Sequence, residues 1–291
     1  MSRIVKVLYG PTATGKSAAA LEIAAQEPIV IINSDAMQCY DAIPTLTAQP
    51  TLDEQAKVPH KLYSVIPPQE DMIVTKWCEL AKKEIDTAFE ESKQPVLVGG
   101  TGFYLKALME GLSDIPNIPA DIREKAEEIL ENEGLESLLN DLKNYSIKDT
   151  EELDCQNPRR VIRAWEVLEF TGKSLQEWQR QNQAKKPQDM EFDLKFITRP
   201  REELIARINQ RFDQMIKNGA LDEVKSLSSK IDDGTVSEDN LIIKAHGFRP
   251  LRAYLKGVKT LEDATEQSKI ETRQYAKRQM TWARQQFGYK A

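Results

Sequence analysis

The chain has 291 residues, 40% of them hydrophobic and 30% charged, with a net charge of -6 and three cysteines. That balance argues against a disordered chain and against one that binds nucleic acid by general electrostatics, which needs a positive surface. Cys39, Cys78 and Cys155 form no Cys-x-x-Cys pair and no stretch approaches the roughly 18 to 20 apolar residues of a membrane helix, so no zinc cluster, disulfide framework or membrane span is expected and a cytoplasmic monomer is the default.

Taken in order, the elements begin with an apolar strand from Ile4 to Tyr9, a Gly-rich turn and an Ala-rich helix, "SAAALEIAAQ". "PIVIIN" at 28–33 is a second short β-branched run, suited to a strand buried on both faces, and makes a βαβ unit with the first. "HKLYSVI" and a helix over 74–92 follow. "QPVLVGGTGFYLKALMEG" repeats the order strand, glycine turn, amphipathic helix, with Gly111 available to end it. These pieces predict an α/β fold: a P-loop NTPase-like parallel sheet flanked by helices, in a first core segment over 1–112.

From 113 to 190 the chain is strand-poor and helix-rich, which reads as a helical insertion. "PADIREKAEEILENEG", "NPRRVIRAWEVLEFTGKS" and "SLQEWQRQNQ" are its helix candidates. Residues 121–154 carry twelve acids against Arg123, Lys125, Lys143 and Lys148, whereas 159–186 carry seven Lys or Arg and three Glu. Over 191–291 the strand-like "FDLKFIT" returns the chain to the core, followed by helices "REELIARINQRFDQMIKNG" and "TLEDATEQSKIETRQYAKRQMTWARQQFG". In the last helix Arg273, Lys277 and Arg284 fall on a basic stripe, while Tyr275, Gln279 and Trp282 fall on one facing the core.

The first turn is Gly10-Pro11-Thr12-Ala13-Thr14-Gly15-Lys16-Ser17. Gly-x-x-x-x-Gly-Lys-Ser between strand and helix turns successive N–H groups toward an anion at the positive end of the helix. Lys16 adds a cation, and Ser17 offers a hydroxyl to Mg2+ held on the phosphates. No apolar strand ends in the lone Asp of a hydrolysing NTPase, yet the second strand ends in "NSD", which sets Asp35 at the sheet edge where ligands bind. The residues by themselves leave a small-molecule kinase and a transferase that expels diphosphate both open.

Eight collinear segments resemble the tRNA dimethylallyltransferase, or tRNA isopentenyltransferase, family: "GPTATGKS", "INSDAMQCY", "VPHKLY", "PVLVGGTGFYLKAL", "RRVIRAWEVLEFTGKSLQEWQ", "RINQRFDQMIKNGALDEV", "KAHGFRPLRAYL" and "TRQYAKRQMTW". The resemblance implies transfer of a five-carbon prenyl group from dimethylallyl diphosphate to N6 of the adenosine beside the anticodon, at tRNA position 37, with release of diphosphate. Gly10 to Ser17 would hold the donor diphosphate, with Mg2+ on Ser17 and with Lys16 stabilising the leaving group. Asp35 matches the family's catalytic aspartate and would take the N6 proton, although it also stands where it would N-cap "AMQCY". Thr101 matches a position at the reaction centre. Arg201 and Arg207 are expected as diphosphate clamps, since guanidinium suits bidentate phosphate contacts; a solvated helix face is the alternative.

The same resemblance assigns tRNA contacts to Asp35, Ala36, Met37 and Gln38, to Thr101 and Arg123, to Arg159, Arg160, Val161, Ile162 and Arg163, and to Lys244, Ala245, His246, Gly247, Phe248 and Arg249. An enzyme of this kind flips its target base and grips the neighbours. His60 reads as a structural residue. Several positions depart from the family pattern: Ala36-Met37 replaces Ser-Arg, Leu46 and Gln49 replace a glycine and a lysine, Arg159 stands for Gln, and His246-Gly247-Phe248 replaces Ile-Gly-Tyr. An adenylate isopentenyltransferase acting on free AMP, a small-molecule kinase and a nucleotide-gated RNA-binding module are the other readings.

Overall fold

Five short strands pair side by side in a computed structural model that describes residues 3–113, 115–181 and 186–289. They are β1 (Arg3–Tyr9), β2 (Ile29–Asn33), β3 (His60–Lys61), β4 (Gln94–Gly99) and β5 (Met190–Phe196), all parallel, in the spatial order β3-β2-β4-β1-β5. β1 and β2 are therefore not neighbours: β4 lies between them, with Tyr9 opposite Gly99 and Asn33 opposite Val98. The loops after β1, β4 and β2 leave the same edge of the sheet side by side, and a ligand crevice forms at such an edge.

Between the strands run α1 (Lys16–Ala24), α2 (Leu52–Lys57), α3 (Val74–Glu90) and α4 (Gly102–Glu110). The fully buried β2 and the Leu8, Val96 and Val98 side chains pack with Ala20 of α1, as expected for strands covered on both faces. The chain divides into two compact units, Met1–Met109 with Gln188–Ala291, and Glu110–Pro187.

The second unit is all helical: α5 (Ala120–Asn132), α6 (Leu135–Tyr145), α7 (Ile147–Glu151), α8 (Pro158–Thr171) and α9 (Leu175–Gln181). α8 starts with Pro158 in its first turn and stops at Gly172, and Val161, Ala164 and Trp165 on its inner face pack against Ala126, Leu138 and Leu142. α6 and α7 were not legible as separate helices, and the part of the "SLQEWQRQNQ" helix beyond Gln181 lies outside the described residues.

The first unit resumes with β5 and then α10 (Arg201–Lys217), α11 (Ala220–Asp232), α12 (Phe248–Leu255) and α13 (Leu261–Phe287). The 27-residue α13, capped by the Thr260 hydroxyl, runs against the glycine loops. A Cβ on Gly102 would stand 2.2 Å from the Trp282 ring, so only glycine admits that approach. Among the described residues no helix is long and apolar enough to cross a membrane.

Candidate active site

The loop after β1 alternates backbone hands: Ala13 (φ 64°) and Gly15 (φ 97°) are left-handed, and Gly15 sits at the N-cap of α1. Such alternation turns N–H groups to one side, the geometry that cradles an anion. The Thr14 hydroxyl donates to Pro11 O at 2.8 Å, closing the turn internally. Lys16 Nζ donates to Gly10 O (2.9 Å) and Pro11 O (2.8 Å). Three arginines surround the loop: Arg199 Nε donates to Thr14 O (3.2 Å), Arg207 Nε to Ala13 O (2.8 Å), and Arg211 to the Thr12 hydroxyl.

Gln279 ties the two glycine loops together. Its Oε1 accepts from Thr12 N–H at 3.0 Å and its Nε2 donates to Gly100 O at 2.8 Å. The side chain is buried, so this bridge is worth more than a surface hydrogen bond.

Asp35 follows β2 in a short 3₁₀ turn, Ala36–Cys39, whose N-cap it forms by accepting from Met37 N–H at 3.1 Å. Asn33 fixes its backbone from both sides, accepting from Asp35 N–H (2.8 Å) and donating to Asp35 O (2.9 Å). The Thr101 hydroxyl accepts from Ala36 N–H at 3.0 Å, coupling the end of β4 to the same turn. Burial raises the Asp35 carboxyl above its ordinary range, opposed by Lys16 and by the Met37 N–H. Burial likewise pushes Lys16 down to about 8, opposed by Asp35 and reinforced by Arg211.

Two cavities meet at Asp35. The first, of about 500 Å³, is lined by Gly15, Lys16, Ser17, Arg207 and Tyr63 among others. The second, of about 290 Å³, is lined by the apolar Leu46, Ile208, Phe212, Met215 and Tyr275 and also by Met37, Thr101, Lys244 and His246. Thr12, Asp35, Thr47 and Arg211 line both. The Thr47 segment is held by Glu223, whose carboxylate accepts from Thr45 N–H (2.8 Å) and Leu46 N–H (3.0 Å).

The loop residues Gly10 to Ser17, Asp35, Thr101 and Arg207 thus gather in one region, but several expectations need correction. Arg201, exposed at the first turn of α10, lines neither cavity; it lies roughly 120° round the helix from Arg207 at 100° per residue. Arg211, one turn after Arg207, lines both cavities instead, and the i, i+4 spacing marks it in the sequence. The Gln38 amide donates to Thr47 O (2.8 Å) and Ala48 O (2.9 Å), and the residue lines the first cavity.

Phe248 and Gly247 are buried, with Gly247 facing the Phe212 ring, so these two offer no open surface; Ala245 is largely buried but lines the second cavity, and Lys244 and Arg249 are exposed. His246 lies with its ring 4.5 Å from that of Tyr275, and burial, with Arg278 adding, pushes it down to about 4. In the helical unit Val161 is core and Ile162 packs on it, while Arg123, Arg159 and Arg160 are exposed. Arg160 pairs with Asp154 and Arg163 with Glu166. On α13 the basic stripe is split: Arg273 bonds Asn209 and Glu266, whereas Lys277 and Arg284 are exposed. His60 Nδ1 donates to Val58 O at 2.7 Å and its ring meets that of Tyr63, as a structural histidine.

A parallel sheet with an anion-cradling loop after β1 and a carboxylate at the next strand end defines a P-loop-type phosphate-binding protein. The chain belongs to the IPP transferase family, which it matches over residues 38–286. It is 41% identical over 286 residues to the tRNA dimethylallyltransferase of Rhodospirillum centenum, covering 98% of this chain and 90% of that one. The enzyme of the same name from Paramagnetospirillum magneticum is 42% identical over 280 residues, 96% of this chain and 87% of its own length. Similar solved structures are the tRNA isopentenylpyrophosphate transferase of Bacillus halodurans (33% identity, TM-score 0.67, 99% of this chain and 88% of that one) and a eukaryotic dimethylallyltransferase acting on tRNA (28%, 0.84, 97% and 70%).

Proposed function

We propose that this chain transfers a dimethylallyl group from dimethylallyl diphosphate to N6 of the adenosine at tRNA position 37 and releases diphosphate. The observation that carries the mechanism is the position of Asp35, a half-buried carboxylate where a cation-rich cavity meets a less polar one. Diphosphate suits the first, with its loop N–H groups, Lys16, Arg207 and Arg211. A flipped adenine suits the second, between Phe212, Met215 and Tyr275.

In the reaction the bond from the prenyl C1 to the diphosphate oxygen breaks, its electron pair leaving with the diphosphate, and the bond from N6 to C1 forms. The adenine amine is a weak nucleophile because its lone pair is delocalised, so Asp35 takes the N6 proton as the new bond forms. A carboxyl raised by burial is a stronger base than an ordinary aspartate, and Lys16 opposes that rise. Lys16 and the loop N–H groups stabilise charge on the leaving diphosphate. The Thr101 hydroxyl, which accepts from Ala36 N–H, holds the Asp35 turn beside the acceptor.

Among the described residues no group of three or more His, Cys, Asp or Glu forms a metal centre. Ser17, exposed on the first turn of α1 and lining the first cavity, would hold a Mg2+ ion carried by the donor diphosphate. When bound, that ion neutralises charge on the diphosphate. For tRNA we assign Arg123, Arg159 and Arg160, exposed in the helical unit, and Lys244 and Arg249 to backbone contacts.

The test is incubation with labelled dimethylallyl diphosphate, Mg2+ and either a tRNA carrying adenosine at position 37 or AMP. Label in tRNA is expected. Label only in AMP would assign the chain to the adenylate enzymes, and phosphate transfer from ATP without prenyl transfer would make it a kinase.

A further inference from the structure

Tyr63 sits in the segment "HKLYSVI", for which the mechanism above has no use. The segment does not continue as a strand: pairing stops at Lys61, and the residues on either side of Tyr63, Leu62 (φ 63°) and Ser64 (φ 49°), both take the left-handed conformation that non-glycine residues rarely adopt. Each of those two residues is tied to the Asp35 turn. Leu62 O accepts from Asn33 Nδ2 at 2.9 Å, the same amide that reaches Asp35 O. Ser64 N–H donates to Gln38 O at 3.1 Å, and its hydroxyl to Gln49 at 2.8 Å.

The framed residue is half-buried. Its ring packs on the core cluster that includes Ala20 and Ile31 and lies 5.6 Å, edge to face, from the His60 ring. The same residue lines the first cavity beside Lys16, Ser17, Asp35 and Arg211. Its hydroxyl makes no hydrogen bond to another described residue, so its donor is free for a ligand. Sparsely populated backbone held by the surrounding structure is concentrated at ligand-binding sites.

We propose that the Tyr63 hydroxyl is a further ligand of the donor, donating a hydrogen bond to a diphosphate oxygen in the cavity it shares with Lys16. The assignment rests on the reading of that cavity as the diphosphate site. Burial, with the Asp35 charge adding, raises the phenol, so it stays protonated and acts as a donor at neutral pH. It supplies a neutral donor on the side of the cavity formed by the segment after β3, where the cationic groups come from α1 and α10.

The experiment measures binding of inorganic diphosphate with Mg2+ by calorimetry, together with steady-state prenyl transfer, for the full chain and Tyr63→Phe. The variant keeps the ring and its packing. Loss of one hydrogen bond to a charged group predicts an affinity for diphosphate about ten- to a hundred-fold weaker, with a matching rise in KM for the donor and unchanged KM for tRNA and melting temperature. Equal diphosphate affinity in Tyr63→Phe and wild type overturns the assignment and leaves the ring as packing alone. If wild type itself binds no diphosphate, the reading of the cavity falls, and the Tyr63 assignment with it.

Discussion

Lys16 and Asp35 line one cavity and each counters the effect of burial on the other: Lys16 is pushed down to about 8 and Asp35 upward, and each would go further without its neighbour. Burial displaces both groups from the pKa each has in water. The pair is a cation and a base held ready for an anion and for a proton.

A pH dependence follows for anion binding. Lys16 is charged below about 8 and neutral above it, and diphosphate binds the charged form. Affinity for inorganic diphosphate should therefore be full near pH 7 and fall as pH rises past 8. Lys16→Arg, which stays charged, should show a flatter curve, and the difference between the two curves in calorimetry removes the titration of diphosphate itself. The fold responds in the opposite sense. Between about 8 and the ordinary 10.5 the unfolded chain holds a proton that folded Lys16 has released, so Lys16→Met should lose a rise in stability that wild type shows there.

The arginines separate by position. Arg207→Ala and Arg211→Ala should raise KM for the donor roughly ten-fold or more, as expected for loss of a hydrogen bond to a charged group. Arg201→Ala, exposed and away from both cavities, should stay within about two-fold, since surface charges rarely contribute measurably. Steady-state kinetics with the donor varied at saturating tRNA checks all three.

Gln279→Leu removes both ends of the bridge between the two glycine loops. It should cost about 2 kcal/mol in urea unfolding, because Thr12 N–H and the buried Gly100 O lose their partner together. Prenyl transfer should fall as well, since the loop that holds diphosphate and the loop that carries Thr101 are no longer fixed to each other.

The phosphate loop and Asp35 were legible because they depend on local order: strand, glycines, helix, and a carboxylate at a strand end. Tyr63 was not, because "HKLYSVI" has strand-like residues and nothing in that composition announces two left-handed positions around the tyrosine. The Gln279 bridge depends on β4 lying between β1 and β2, which the order of the elements alone leaves open. Reading the tRNA contacts as unbroken segments included Val161 and Phe248, whose position on their helices turns them into the core. Arg201 and Arg211 differ in helical phase and by about 15 Å along α10, and the helix had to be seen against the loop to choose between them.

The base assignment is the centre of the account, and Asp35→Asn tests it most directly, since asparagine can still cap the 3₁₀ turn by accepting from Met37 N–H. Single-turnover prenyl transfer should fall by about a hundred-fold or more, while the affinities for dimethylallyl diphosphate and for tRNA stay within a few-fold of wild type. Near wild-type turnover in Asp35→Asn, with both substrates bound, would contradict it.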